Sequence, residues 1–173
     1  MKQLFFCVAI LIAIMAAPAT AQTPAETLRQ IFADERALAY REDPLAATYD
    51  GVHEFDDRLP SVTPGDYQRR LQGDRALLAR LHRLDRAALS DFDRVSYDLF
   101  DFMVSQRVRL AAYNEWRIPL NSDSGFYADL LQLADAQAPR TAHDYENYVA
   151  RLNDVPRYFR ENIANNWRCS HGN

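Results

Sequence analysis

Apolar residues recur along this chain at the three- and four-residue spacing of an α-helix, and no stretch sustains the two-residue alternation of a half-buried strand. The long segments rich in Leu, Ala and Arg are interrupted by only five glycines in 173 residues. We therefore predict an all-α fold, built as an antiparallel array of helices.

Four motifs mark where helices are predicted to begin. They start at Thr23, Thr63, Ser90 and Thr141, and a proline directly follows each of the first two. A Thr or Ser hydroxyl at such a position accepts hydrogen bonds from first-turn amides that have no partner inside the helix. The first helix is predicted to end before Pro44, because proline disfavours a helical conformation in the preceding residue.

Turn-forming residues divide the rest of the chain. Pro44–Pro60 is predicted to be an irregular connection, and residues 114–125 are predicted to interrupt the helices a second time. A short helix is predicted over Gly125–Ala134. Pro156 is predicted to divide the last helix into two that cross at an angle.

Two apolar stripes are predicted to face the core. The helix after Ser90 carries one of them, formed by Val95, Leu99, Phe100, Met103, Val104 and Val108. The helix after Thr141 carries the other, formed by Tyr145, Tyr148, Val149 and Leu152.

Residues 1–21 have the pattern of a signal peptide. Lys2 precedes an apolar run over Leu4–Ala17, and small residues then favour cleavage before Gln22. The run is shorter than the roughly 20 apolar residues of a membrane span. We expect an exported protein, periplasmic or secreted, with no stable membrane insertion after cleavage. Only Cys169 would remain, so no intramolecular disulfide can form.

The charge balance narrows the class of partner. The chain has 20 Lys and Arg against 24 Asp and Glu, for a formal net charge of −4, which argues against a nucleic-acid partner held by bulk charge. A peptide is the partner we expect if the chain is a free-standing helical binding module. Trp116, Tyr145 and Tyr148 are then the candidate contacts.

No catalytic, cofactor-binding or metal-binding constellation is predicted. His53-Glu54 lacks the second histidine one helical turn later that a zinc helix needs, since Asp57 stands there. Cys169 and His171 supply only two ligands at a chain end, which we expect to be frayed.

Acidic residues on the helix after Ser90 suggest paired-carboxylate chemistry as an alternative. They are Asp91, Asp93, Asp98 and Asp101. Arg94 is spaced to reach both Asp91 and Asp98 on one helical face, so a solvated ion-pair network is the preferred interpretation.

Three segments together resemble the amino-terminal part of the bacterial domain-of-unknown-function family 885. They are PLAATYDGVHEFDDRLP at Pro44–Pro60, LSDFDRVSYDLF at Leu89–Phe100 and TAHDYENYVARLNDVPRYFRENIAN at Thr141–Asn165. Their order and approximate spacing are those of the family, and they span most of the chain after residue 21.

The resemblance implies a portion of a larger helical, metallopeptidase-like fold. Full-length relatives look like exported zinc peptidases whose His-Glu-x-x-His helix lies downstream, so zinc is expected in them and not here. We expect residues 22–165 to form a partial helical domain and 166–173 a divergent tail. The chain is then a truncated family member, inactive alone.

Overall fold

The computed structural model describes residues 22–120 and 125–170, with side chains as far as Trp167. It confirms the all-α class. The helices are α1 (Pro24–Glu42), α2 (Pro44–Tyr49), α3 (Pro64–Leu81), α4 (Asp91–Leu110), α5 (Ala128–Leu131), α6 (Leu133–Gln137) and α7 (Ala142–Ser170). Short 3₁₀ turns lie at His53–Phe55, Arg86–Ala88, Ala111–Tyr113 and Glu115–Arg117.

The predicted signal peptide and His171 lie outside the described residues. Within residues 22–120 and 125–170, none of the helices has both the length and the apolarity that crossing a membrane requires.

All four predicted helix starts are confirmed by their hydrogen bonds. At α1 the Thr23 hydroxyl accepts from the Glu26 amide at 3.2 Å, and the Glu26 carboxylate accepts from the Thr23 amide at 2.8 Å. α3 begins with the same reciprocal pair between Thr63 and Asp66. The Ser90 hydroxyl caps α4, and Thr141 accepts from the Asp144 amide at the start of α7. Local sequence therefore determines where the long helices begin.

Two predictions about connections are wrong. The segment after Pro44 is not irregular throughout, because its first six residues form α2. The Asp43 carboxylate accepts from the Ala46 amide at 3.1 Å, so the proline that ends α1 also occupies the first turn of a new helix. The single helix predicted over Gly125–Ala134 is instead two short ones, α5 and α6, which meet at Gln132.

Pro156 does not divide the last helix. α7 passes through it without a break and continues to Ser170, beyond the point where fraying was predicted. Residues on either side of Pro156 bond to the same neighbouring segment. Asp154 accepts from the Leu59 amide at 3.1 Å. Arg157 donates to the carbonyls of Leu59 and Pro60, each at 3.1 Å. These tertiary bonds hold both halves of α7 to the same strip of backbone, which offsets the helical hydrogen bond that proline removes.

The core is divided into two clusters of buried side chains. The first lies between α1, α3 and α4 and contains Leu28, Ile31, Leu77, Leu81, Leu89 and Tyr97. The second lies between α2, the segment before α3, α6 and α7, and contains Leu45, Leu59, Val62, Leu133 and Tyr158.

The stripe predicted for α4 is split between two opposite faces of the helix. Val104 is buried and Phe100 packs against the first cluster, as predicted. Val95, Leu99 and Met103 are 68%, 58% and 51% exposed, which contradicts their assignment to the core. The reason is that α4 is apolar on both faces, while only one face meets α3.

The prediction for α7 is also wrong for most of its stripe. Tyr148 packs against the second cluster, but Tyr145, Val149 and Leu152 are all exposed. The face turned inward carries polar side chains beside apolar ones such as Tyr158, and Arg151 at its centre has no exposed surface.

Arg151 joins α7 to the segment that contains α2. Its Nε donates to the Arg58 carbonyl at 2.9 Å, and its Nη2 donates to the Phe55 carbonyl at 2.8 Å. Its Nη1 donates to the Thr48 hydroxyl at 2.9 Å and to the Gln137 amide oxygen at 3.2 Å. Every nitrogen of the guanidinium group is therefore bonded, which compensates for its removal from water.

A negative charge lies beside the buried guanidinium group. The Asp56 carboxylate is 3.4 Å from Arg151 Nη2 and accepts from the Thr48 hydroxyl at 2.5 Å. Burial lowers the pKa of Arg151, and the Asp56 carboxylate opposes that change. Arginine remains charged in either case, so α7 is held in place by a charged and fully bonded group.

We predict that Arg151→Met lowers the free energy of unfolding by about 3–5 kcal/mol, because it leaves a carboxylate and several oxygen acceptors buried without their donor. Urea denaturation followed by circular dichroism measures this change. Arg160→Met is the matched control, since Arg160 is exposed on the same helix, and it should alter stability by less than about 0.5 kcal/mol. Equal effects of the two substitutions would show that Arg151 has no special structural role.

Candidate ligand cleft

A cleft runs along α3. It consists of two adjoining cavities of about 390 and 360 Å³. Four residues line both: Tyr67, Arg70, Asp74 and Arg107. The first cavity reaches between α1 and Tyr158 of α7, and the second ends at Trp116. Cavities of this size are typical of sites for small molecules or short peptides.

Ion pairs form one wall of the cleft. Arg107 of α4 lies 2.7 Å from Asp74 of α3 and 2.9 Å from Glu35 of α1. Glu42, at the end of α1, lies 2.7 Å from Arg69 and 3.1 Å from Arg70. The charged side chains therefore link α1, α3 and α4 along the cleft.

Aromatic rings form the other wall. Tyr67 and Trp116 are stacked, with ring centroids 4.9 Å apart and planes inclined by 15°. The guanidinium groups of Arg70 and Arg117 lie 5.1 Å and 5.3 Å from the ring centres of Tyr67 and Trp116, respectively. Alternating aromatic rings and guanidinium groups make a surface on which planar or cationic groups can stack.

One nitrogen beside this wall is unsatisfied. The Nε of Arg117 is buried and has no hydrogen-bond partner among the described residues. A buried donor without an acceptor costs stability, so such groups are informative where they occur next to a cavity.

The environment of each titratable group limits its chemistry. The hydrogen bond from Arg69 lowers the pKa of Glu42, against the opposing effect of burial, so the group is an ionised acceptor at neutral pH. Burial raises the pKa of Tyr158 to about 12, so its phenol stays protonated and donates to the Phe126 carbonyl at 3.3 Å. These groups favour binding, because neither has a pKa near neutrality as an efficient general acid or base would.

The predicted contact residues are not brought together in one site. Trp116 lines the cleft. Tyr148 is half-buried against the second core cluster, and Tyr145 is 58% exposed on the outer face of α7.

The described histidines do not fit a zinc site. His53 Nδ1 lies 2.9 Å from Asp56, His82 Nε2 lies 2.6 Å from Asp101, and His143 lies at the start of α7. Within the part of the chain that the structure describes, no three His, Cys, Asp or Glu side chains are grouped as metal ligands. Zinc requires such a group, so these residues do not form its site.

Two of the acidic residues of α4 form ion pairs with arginines, and only one of these pairs has the predicted partner. Arg94 lies 3.3 Å from Asp91, as expected, but Asp98 is paired with Arg86 at 2.6 Å. Helical spacing predicted that Arg94 would pair with Asp98. The cation beside Asp98 is instead Arg86, which belongs to the turn before α4.

Sequence reasoning missed most of the cleft. Tyr67 is partly buried against the second core cluster, and Arg70 pairs with Glu42 of α1, which is 28 residues away in the sequence. Arg107 had no predicted role. The three residues are separated by up to 40 positions and converge only because α3 and α4 are antiparallel neighbours, so no local motif could identify them.

Comparison with known families gives one match. The model of the family described as "Bacterial protein of unknown function (DUF885)" matches residues 44–168, which is more than half of the chain. Neither a curated protein nor a solved structure matches the chain. The matched range contains α2 through most of α7, and therefore both cavities except for the wall that α1 contributes.

We predict that Glu42→Gln lowers the free energy of unfolding by about 2 kcal/mol at pH 7, because it removes a charge-assisted bond on the cleft wall. The folded-state pKa of Glu42 is depressed, so its contribution is present above the unfolded pKa of about 4.3 and is lost as the pH falls further. The difference between variant and parent should therefore shrink at pH 3.

Urea denaturation at the two pH values measures this difference. Glu146→Gln is the control at pH 7, where the exposed position of Glu146 should limit the effect to about 0.5 kcal/mol. A difference for Glu42→Gln that is as large at pH 3 as at pH 7 would contradict the assignment.

Proposed function

Because the chain belongs to the bacterial family DUF885, we propose that it is the helical amino-terminal segment of an exported, zinc-metallopeptidase-like protein and has no hydrolytic activity of its own. The observation that carries this proposal is the uncovered apolar face of α7. Export is supported by the signal pattern of residues 1–21. The metallopeptidase class is supported by the family resemblance.

The outer face of α7 has the composition of an interior surface. Its exposed apolar residues are Tyr145, Val149, Leu152 and Ile163, each 44–59% accessible. They recur on one side of the helix over a length of about 27 Å. A solvent-facing helix normally carries polar residues there, and an apolar strip of this length marks a surface that another element covers.

We infer that further polypeptide packs on this face in the larger protein. α7 is then a shared helix, with Arg151 and its partners on one side and the additional helices on the other. In such a protein the helices of this segment form a wall of the substrate cleft. Zinc, when bound, polarises the scissile carbonyl and activates water, and its ligands would come from outside residues 22–170.

The coding DNA provides the direct test. Sequencing beyond the codon for Asn173 should reveal a further helical coding region with a His-Glu-x-x-His motif in one of the frames. Absence of a peptidase-like continuation in every frame would contradict the proposal.

The purified periplasmic chain provides the biochemical part of the same test. Its mass should correspond to a mature chain that begins at Gln22. It should hold no stoichiometric zinc and should not hydrolyse a pool of peptide substrates. Stoichiometric zinc together with turnover would overturn the claim that the segment is inactive alone.

A second candidate function is a peptide-binding module, and the stacked pair of Tyr67 and Trp116 is the observation that favours it. The cleft offers an aromatic wall next to paired charges, and both are suited to a peptide with aromatic or basic side chains.

Calorimetry with a pool of random-sequence peptides distinguishes this second function. Binding should be lost in Trp116→Ala, because that change removes one wall of the cleft, and retained in Tyr145→Ala, because Tyr145 does not line it. Binding that is equally weakened by both changes would place the peptide elsewhere, and no binding by the parent protein would exclude the module.

A further inference from the structure

We propose that the outer face of α4 is a self-association surface, on which α4 of a second copy of this chain packs in the antiparallel direction. This inference does not depend on the proposed function, since it concerns a different helix from the one that supports the larger-protein hypothesis. Its basis is the apolar area of the face, its charge pattern and its self-complementary geometry.

The face is apolar along most of α4. Its members are Phe92, Val95, Leu99, Phe102, Met103 and Leu110, which are 80%, 68%, 58%, 60%, 51% and 43% exposed. At 100° per residue they lie within a band about 100° wide. Tyr97 and Val104 lie on the opposite side of the helix and are buried, so α4 packs against its own chain through one face and leaves this one open.

The area is enough for a specific dimer. A phenylalanine side chain has about 200 Å² of surface, so Phe92 and Phe102 alone expose about 280 Å² at their observed accessibilities. The remaining members bring the total to roughly 500–600 Å² per copy. A symmetric pair would then bury about 1,000 Å² or slightly more, which reaches the threshold for a specific interface.

Charges beside the apolar band select the antiparallel direction. The first turn of α4 is acidic, with Asp91 and Asp93, and the last turn is basic, with Arg107 and Arg109. Asp91 and Arg109 are five turns apart, so they lie on the same flank of the band. The Asp91 side chain is 96% exposed, and Arg109 is also exposed.

A two-fold axis brings matching flanks together. In an isologous antiparallel pair, each flank of the band faces the same flank of the other copy. Asp91 of each copy therefore lies opposite Arg109 of the other copy, which gives two such contacts in the dimer. The register that aligns these charges places Leu99 and Phe102 beside the axis and brings Phe92 close to Leu110 of the second copy. A parallel pair would instead bring the two acidic ends together, which is unfavourable.

Cysteine cross-linking tests both the contact and its direction. The background is the mature chain from Gln22 with Cys169→Ser, which removes the remaining thiol. Leu99→Cys should give a disulfide-linked dimer under mild oxidation, because the two Leu99 positions differ by only about 3 Å along the axis. Val95→Cys should not, because its two copies would be about 15 Å apart along the axis.

Ile118→Cys is the matched control for random contact. Ile118 is 63% exposed and lies on neither apolar helix face, and Leu99 is 58% exposed on α4, so the two thiols have similar access to oxidant. A linked dimer from Leu99→Cys alone supports the proposal. Equal cross-linking at Leu99 and Ile118 would overturn it. So would cross-linking at both Leu99 and Val95, or a Leu99→Cys protein that remains monomeric.

Charge exchange provides an independent test by sedimentation. Asp91→Arg and Arg109→Asp should each weaken dimerisation of the mature chain about tenfold or more, whereas the double variant should recover to within about threefold of the parent. Circular dichroism confirms that each variant is folded. The antiparallel pair would be overturned if the double variant dimerised no more tightly than the weaker single variant. It would also be overturned if the parent protein were monomeric at every concentration measured. Both outcomes are independent of the proposed function.

Discussion

The buried guanidinium group of Arg151 is the constraint on which the arrangement of helices depends. It bonds to residues of α2 and of the turn that follows it, 103 and 96 positions away, and to Gln137 of α6, 14 positions away. A charge in the interior is tolerated only when every donor finds an acceptor, so these segments have to converge around it in one geometry. The position of α7 follows from this requirement, and the continuity of α7 through Pro156 follows from the additional bonds that Asp154 and Arg157 make to the same neighbouring strip.

α7 is apolar on more than one side. Its inner face buries Arg151, Asn162 and Asn165 beside Tyr158, whereas Leu152 and Ile163 lie on a second strip that is exposed. The same division occurs on α4, where Val104 faces the core and Leu99 does not. Two helices are thus apolar on a side that residues 22–120 and 125–170 leave exposed. Such surfaces are costly to expose, which is the physical reason for assigning partners to them.

The ionic groups and the phenol of the cleft are engaged by neighbouring groups of the chain. Its ionic groups are engaged with one another, as Arg107 is with Asp74 and Glu35, and its phenol at Tyr158 is held protonated. Groups in these states can orient a ligand, but they are not poised to exchange protons near neutral pH.

The sequence by itself determined the helical class and the starts of the long helices, because capping depends on residues three positions apart, as in Thr23 and Glu26 or Thr63 and Asp66. The sequence also contained the motifs of the family, and it predicted Trp116 as a candidate ligand contact. Only the tertiary structure decided which face of each helix is buried, since periodicity shows that a stripe exists but not which neighbour covers it. The roles of Arg151, Arg107 and Tyr67 could not be predicted for the same reason: each depends on partners that are distant in sequence and become neighbours only when the helices pack.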